Sequence, residues 1–453
     1  MVARYKFYLF WGLFQMICIL PVISQAAQWQ IIHAGHLLHM DPDKADARSF
    51  EFRARKSVVI RNGKISKIHD GYTSPKDLQV SENDHVSLID LSNRYVLPGL
   101  IDGHIHLTAT PVIAGKRRIE AVTLSDADRA VLATAAAKAI LKGGFTTVRD
   151  LGAIGKDAIY AVRDGIKKRY IPGPNILASG NVLSPTGGHA DKSTGYRQDL
   201  HNVLTSPGVC NGQDGCTRVV REQIRNGANA IKITATGGVL SQASSGVGQQ
   251  FTDREMIAIV ETAHALGRKV TAHAHSKQGI EAALKAGVDS VEHGTFLDQK
   301  TIKLFLKNDA YLVPTLMAGD AVTGWAKDDV PFLSIIQKSK ALLIGDQMIK
   351  ATALAHKAGV KIAFGTDSSL LKNGINCREF PLLVKAGLSP QAALHTSLIN
   401  AAENLGIGDH TGRLLPEYHA DIIAVRKDPF KDINALCDVT FVMKSGHVEW
   451  PEK

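Results

Sequence analysis

The sequence reads as an α/β chain built on a (β/α)8 TIM-like barrel, on three observations. Short apolar runs suited to buried strands recur near residues 96–107, 145–151, 175–180, 229–236, 269–275, 289–294, 311–316 and 361–367. Helical segments separate most of them, the alternation that produces parallel βα units. Five of the runs end in a short polar island: His104 and His106 in LPGLIDGHIHL, Lys232 in AIKITATGG, His273 in KVTAHAHS, His293 in SVEHGT and Asp367 in IAFGTDSS. A parallel barrel gathers the carboxyl ends of its strands on one face, so these islands can meet there.

The helices between the runs carry their own stop and start signals. Ser125 to Lys142 is rich in alanine and opens on a serine cap. Thr252 to Leu266 begins T-x-x-E, a capping box, and stops at Gly267, while Ser389-Pro390 opens a helix that ends near Gly406. Eight βα units favour a closed barrel over an open sheet. It would run from about 95 to 405, longer than the roughly 250 residues usual for the fold, and so carries insertions.

The islands suit a pair of divalent metals. Residues two apart on a strand point the same way, so His104 and His106 can converge on one ion. Lys232 lies between Ile231 and Ile233 in a run that reads as fully buried. Burial lowers a lysine pKa and leaves a neutral amine. Such an amine can capture carbon dioxide as a carbamate, whose two oxygens can bridge two metals. Asp367 offers a carboxylate, with a capping role as its plainer reading. His275 shares the facing of His273; support of a neighbouring ligand is its expected role, a ligand pair the alternative. His189, in the loop S-P-T-G-G-H-A-D, is expected to contact substrate, and the Gly- and Ser-rich stretch after Lys232 reads as either a lid or a plain connector.

Taken in order, LPGLIDGHIHL, TTVRDLG, TGGHAD, TATGGVLS, AHAHS, SVEHGT, FGTDSS, CREFPLLVKAGLSPQAAL and HADIIAV resemble the amidohydrolase superfamily of metal-dependent hydrolases. The resemblance points to the branch holding imidazolonepropionase-like proteins and Xaa-Pro or Xaa-Arg/Lys dipeptidases. It implies a small β-sandwich built from both chain ends, here 27–94 with SVVIRNGKISKI and 406–453 with DVTFVMKSGHVEW. It further implies that His104, His106 and Asp367 hold an inner metal, His273 and His293 an outer one, and carbamylated Lys232 bridges both, with zinc the expected ion. A bridging hydroxide would attack the carbonyl, and Asp367 would serve as base and then acid.

Arg4 and Lys6 precede the apolar stretch Phe7 to Ile23, and Ser24-Gln25-Ala26 has the small-x-small form of a secretory cleavage site. Cleavage after Ala26 and a periplasmic or secreted protein are expected, an uncleaved membrane anchor being the alternative. Export would allow Cys210 and Cys216 to pair, whereas Cys377 and Cys437 lie far apart in the sequence. The formal net charge of +10 is spread along the chain without a dense basic run, which argues against nucleic acid as a partner. A homo-oligomer is expected.

The leading functional reading is a dipeptidase or amidase of carboxypeptidase type, acting on dipeptides or N-acyl amino acids with a free carboxylate. A cyclic-amide hydrolase of the imidazolonepropionase kind and a non-catalytic exported binding protein are the alternatives. Asp191, after TGGHA, is the candidate partner for a basic substrate side chain. In SSLLKNGINCREF, Lys372 and Asn373 stand where this branch has a histidine ahead of the glycine.

Overall fold

The computed structural model describes residues 27–40, 49–81, 83–111, 117–241 and 246–451. The expected signal segment, 1–26, lies outside the described residues. Both chain ends contribute to one seven-stranded sheet, in the order β14-β13-β12-β4-β1-β2-β3. Its strands are β1 (Gln28–His39), β2 (Glu51–Arg61), β3 (Lys64–Asp70), β4 (His85–Pro98), β12 (Ile422–Val425), β13 (Val439–Lys444) and β14 (His447–Trp450). The β1–β4 pair is parallel and the others are antiparallel.

The sheet does not stay flat. The N–H of Ile65 donates to Tyr418 O (2.9 Å) and that of Ala420 to Gly63 O (2.9 Å), so β3 meets the chain just ahead of β12. The curled sheet encloses a core of Ile32, Val58, Ile60, Ile65, Ile422 and Met443. On its other face Leu97, Ile423 and Val442 join the larger core beneath the neighbouring helices.

The run expected as one strand over 96–107 is two. β4 ends at Pro98, paired with Ile422, and β5 (Leu100–Ile105) begins beyond Gly99. Proline closes the ladder because it has no N–H to give. Gly99 donates to Asp421 O (2.8 Å), and a Cβ at this position would stand 2.1 Å from Thr146 Oγ1. The N-terminal part of the sheet therefore reaches four residues past the expected boundary at 94.

Two parallel sheets make the second body. One holds β5, β6 (Phe145–Asp150) and β7 (Asn175–Ala178); the other holds β8 (Ala230–Thr234), β9 (Lys269–Ala274), β10 (Ser290–His293) and β11 (Tyr311–Val313). Backbone bonds tie them at both edges. Asn229 N donates to Ala178 O (2.7 Å) and Leu183 N to Lys232 O (2.8 Å). On the far side Ala363 N donates to Leu312 O (2.9 Å), Gly103 N to Phe364 O (2.9 Å) and Asp367 N to His104 O (2.7 Å). The expected eighth strand, 361–367, makes these bonds and a single bridge from Ile362 to Leu312 rather than a laddered strand.

The helix signals are realised locally. Ser125 and Asp128 close a capping box on Asp126–Lys142, and Thr252 and Glu255 do so on Asp253–Ala265. The segment from Ser389 to Gly406 changes pitch midway: Pro390–His395 is α-helical, Thr396–Asn400 is a π turn and Ala401–Leu405 is α-helical again. The wide turn frees groups for the strands. Thr396 O accepts from Phe364 N (3.0 Å), and Ser397 Oγ accepts from Ile101 N (3.1 Å) and donates to Ile101 O (2.9 Å). Phe364 packs between Phe145 and Phe380, fully buried rings each worth about 1.5–3 kcal/mol of hydrophobic stabilisation.

Cys210 and Cys216 are bridged, and so are Cys377 and Cys437, joined across sixty positions of sequence. Among the described residues no helix is long and apolar enough to cross a membrane.

Candidate metal centre

Alternation along the strands aims His104, Lys232 and His273 at the carboxyl end of the ring of strands, while left-handed backbone turns His293, next to the inward Glu292, and Asp367 to the same place. His104, His106 and Asp367 form one group whose ligand atoms all lie within 4.8 Å of one another, and His273, His275 and His293 form a second. The rings of His104 and His293 are 5.4 Å apart, which sets the two groups side by side. Lys232 is buried on β8, and its Nζ has no hydrogen-bond partner among the described residues.

Each imidazole is turned by a bond on one nitrogen that leaves the other free. His104 Nδ1 lies 2.7 Å from Glu292 Oε2, and His106 Nδ1 lies 3.0 Å from Gly152 O. Their Nε2 atoms face Asp367 Oδ1, at 3.9 and 3.2 Å. His293 Nδ1 meets Thr315 Oγ1 and His275 Nδ1 meets Thr295 Oγ1, each at 2.7 Å. His273 differs, with Nε2 at 3.4 Å from Gly237 O. Such outer contacts fix the tautomer and ring angle of a metal ligand.

The electrostatics favour ligand forms. Burial, with the charge of Lys232, pushes His104 down to about 4, and burial lowers His273 and His293 well below the ordinary histidine range. All three are neutral at physiological pH, the state that binds metal. Burial also lowers Lys232 to about 8, against the pull of Glu292 and Asp367. For Asp367 burial acts upward, yet the hydrogen bond with His106 and the charge of the Lys232 ammonium prevail and hold it well below the usual carboxylate range. Neutral imidazoles, an ionised carboxylate and a buried amine without a partner fit a pair of divalent ions.

Backbone strain gathers at the same place. His293 (φ 70°), Thr315 (φ 49°) and Asp367 (φ 54°) all occupy the left-handed region, at about 1–3 kcal/mol each. For Thr315, which is β-branched, this is a conformation that only surrounding contacts can enforce.

His189 enters from its loop and stacks on His273, with ring centroids 4.5 Å apart. Gly238 makes room for it, since a Cβ there would stand 2.3 Å from His189 Cε1. His275 stacks on His293 (4.9 Å), and its ligand nitrogen lies within 4.8 Å of those of His273 and His293. Asp191, the candidate partner for a basic substrate, is buried and spends three acceptor sites on its own loop. Oδ2 accepts from Gly187 N (2.8 Å), and Oδ1 accepts from Ser193 N (3.0 Å) and Ser193 Oγ (2.7 Å).

Several functional neighbours had gone unread in the sequence. Glu292 accepts from Ser290 Oγ (2.9 Å) and Thr271 Oγ1 as well as facing His104, and the buried guanidinium of Arg149 lies 3.4 Å away. Arg149 Nε also donates to Gly103 O (2.8 Å), bracing the strand that carries His104. A charged residue in a buried strand is the signal that singled out Lys232, and it holds equally for Arg149 in TTVRDLG and Glu292 in SVEHGT.

The family model described as "Amidohydrolase family" matches residues 95–449. The chain belongs to the amidohydrolase family. It is a hydrolase acting on C–N bonds, with a TIM-barrel-like α/β fold and a β-sandwich. It is 33% identical over 373 residues to an ochratoxinase from Aspergillus niger, covering 78% of this chain and 75% of the relative. Among solved structures it is similar to a Xaa-Pro dipeptidase with bound methionine, at a TM-score of 0.84 and 37% identity over 93% of this chain and 99% of the other. A prolidase complexed with N-methylphosphonate-L-proline superposes at a TM-score of 0.81 and 26% identity, over 93% of this chain and 99% of that one.

Proposed function

We propose that this amidohydrolase cleaves the amide bond of small substrates bearing a free carboxylate, dipeptides or N-acyl amino acids, at a binuclear centre bridged by a carbamate on Lys232. The carrying observation is Lys232 itself, a buried amine with no hydrogen-bond partner among the described residues, set among neutral imidazoles. An ammonium in that place is costly. The neutral nitrogen instead attacks the carbon of carbon dioxide and loses one N–H proton to solvent, becoming an anion with two donor oxygens. The ring of strands is read as a (β/α)8 barrel with 361–367 standing eighth.

In this reading His104, His106 and Asp367 would hold one ion and His273 and His293 the other, with the Lys232 carbamate as a shared ligand and zinc the ion of choice. When bound, such a pair supplies Lewis acidity toward a carbonyl and brings the pKa of water near neutrality. Asp367, held ionised, is placed to take a proton from the attacking water and hand it to the departing nitrogen. His189, neutral and stacked on His273, offers a ring N–H to a substrate oxygen.

The surroundings support an anionic substrate. Lys192 and Lys340 both lie close enough to His189 to bias it, against the opposite pull of Asp367, and Lys340 Nζ is held beside the site by Gly238 O and Ser241 O (2.8 Å each). A dipeptidase with bound methionine and a prolidase with a proline-based ligand stand among the structural neighbours and support the same substrate class. Export, with cleavage near Ala26, completes the proposal; the two disulfides suit an oxidising compartment.

The test is mass-spectrometric product detection after incubating mature, zinc-loaded protein with pooled dipeptides and N-acyl amino acids, beside Lys232→Ala. Cleavage by the wild type alone is expected. No cleavage by wild-type protein carrying two ions per chain overturns the substrate class.

A further inference from the structure

Residues 376–379 make none of the bonds described at the centre, yet they reach both of its halves. Asn376 and Glu379 are each fully buried, on the short 3-10 turn Asn376–Arg378 and at the start of the helix Glu379–Lys385. Between them Cys377 is bridged to Cys437, at the end of the turn Ile433–Cys437 that precedes β13. One stretch of four residues thus links the site to the sheet built from the chain ends.

Asn376 acts on the first half through Asp102. Its Nδ2 donates to Asp102 Oδ2 (2.7 Å), which also accepts from Thr366 Oγ1 (2.6 Å). The other oxygen, Oδ1, accepts from His104 N (3.0 Å) and Thr366 N (3.2 Å). Asp102 therefore clamps the backbone of His104 to the residue before Asp367, and Asn376 holds Asp102 in that pose.

Glu379 acts on the second half through a helix start. Its Oε1 accepts from Leu316 N (2.8 Å) and its Oε2 from Met317 N (2.7 Å), the first two amides of the helix Leu316–Lys327. Both are orphan donors of the first turn, of which an N-cap threonine ordinarily serves the second or third with its own hydroxyl. Here the N-cap is Thr315, and its side chain makes no cap bond. The hydroxyl donates to Pro314 O (2.8 Å) and so presents a lone pair to His293 Nδ1 (2.7 Å). That contact keeps the proton on Nδ1 and leaves Nε2 open. Because Glu379 does the capping, Thr315 is free to orient His293.

We propose that Asn376 and Glu379 are positioning residues for the two ligand groups, and that the Cys377–Cys437 disulfide fastens the segment carrying both, so that metal retention depends on that bridge. The inference rests on the binuclear reading above. Opening the bridge with a phosphine consumes one water: the S–S bond is reduced to two thiols while the phosphine becomes its oxide. No metal-chelating thiol is needed.

The experiment measures the rate at which a chelator strips zinc from full holoprotein, together with the visible spectrum of the cobalt-substituted form. Glu379→Ala is expected to release metal ~10–100-fold faster than wild type and to alter the cobalt spectrum, with Glu379→Gln in between because one acceptor oxygen remains. Asn376→Ala is expected to shift the spectrum as well. To isolate the bridge without disturbing the fold, phosphine is added to Cys210→Ser/Cys216→Ser holoprotein, where Cys377–Cys437 is the bridge left, and faster release is expected. Release and spectrum unchanged in Glu379→Ala, or unchanged once mass analysis shows the bridge open, overturn the inference while leaving the binuclear reading intact. Wild-type protein that holds no metal overturns both.

Discussion

His104 Nδ1 and Glu292 Oε2 are 2.7 Å apart, both fully buried, and this pairing decides which nitrogen of His104 faces the site. For the Glu292 carboxyl burial acts upward, but the hydrogen bond from His104 Nδ1 and the charges of Lys232 and Arg149 outweigh it and hold the group at about 2. An ionised acceptor keeps the proton on Nδ1 and leaves Nε2 as donor to a metal. Glu292→Gln keeps the shape but sets an amide N–H against some of the donors now bonded to the carboxylate. Zinc affinity is expected to fall ~10–100-fold, read by chelator competition, with the fold retained by circular dichroism.

His273 and His275 separate by function despite their shared strand. His273→Ala is expected to lose one of two bound ions and nearly all turnover. His275→Ala is expected to keep both ions and lose about tenfold in kcat, the scale of an outer contact. Metal analysis of the two variants distinguishes them; equal loss of an ion would make His275 a ligand.

Burial lowers Lys232 to about 8, so in metal-free protein the amine is mostly neutral above that pH and protonated below it. Only the neutral amine forms a carbamate. Reactivation of metal-free protein by zinc at fixed dissolved carbon dioxide is therefore expected to slow as pH falls through about 8. Well below it the rate should drop about tenfold per pH unit, following the amine fraction. A rate indifferent to pH between 6 and 9 would contradict the assignment.

Gly238→Ala tests how His189 is seated. The new Cβ would stand 2.3 Å from His189 Cε1, so the ring must leave its stack on His273. Zinc content is expected to stay at the wild-type value while kcat/KM falls by about 10–100-fold, the scale of a misplacement near 1 Å. Steady-state kinetics beside metal analysis read both.

The strand ends were legible because alternation and burial are local properties. His104, His106, Lys232, His273, His293 and Asp367 each announce themselves within a few residues; the structure sets the four histidines and Asp367 in two neighbouring groups and buries Lys232 close enough to act on His104 and Asp367. The serine cap at Ser125 and the capping box at Thr252 were legible for the same reason. What the sequence concealed is long-range. Glu379 finds Leu316 and Met317 across more than sixty positions, and Asn376 finds Asp102 across 274. Neither pairing leaves a periodic trace. The Cys377–Cys437 bridge is hidden in the same way, and the π turn at Thr396–Asn400 follows from partners on other strands rather than from its own composition. The split of 96–107 into two strands had a local cue in Pro98-Gly99, which the long-range bond from Gly99 to Asp421 completes.

The central claim is that Lys232 carries a bridging carbamate in an amide hydrolase, and carbon NMR of zinc-loaded protein prepared with isotope-labelled bicarbonate tests it most directly. A carbamate resonance in the wild type that vanishes in Lys232→Ala is the predicted result. Wild-type protein with two zinc ions per chain and no such resonance would contradict it.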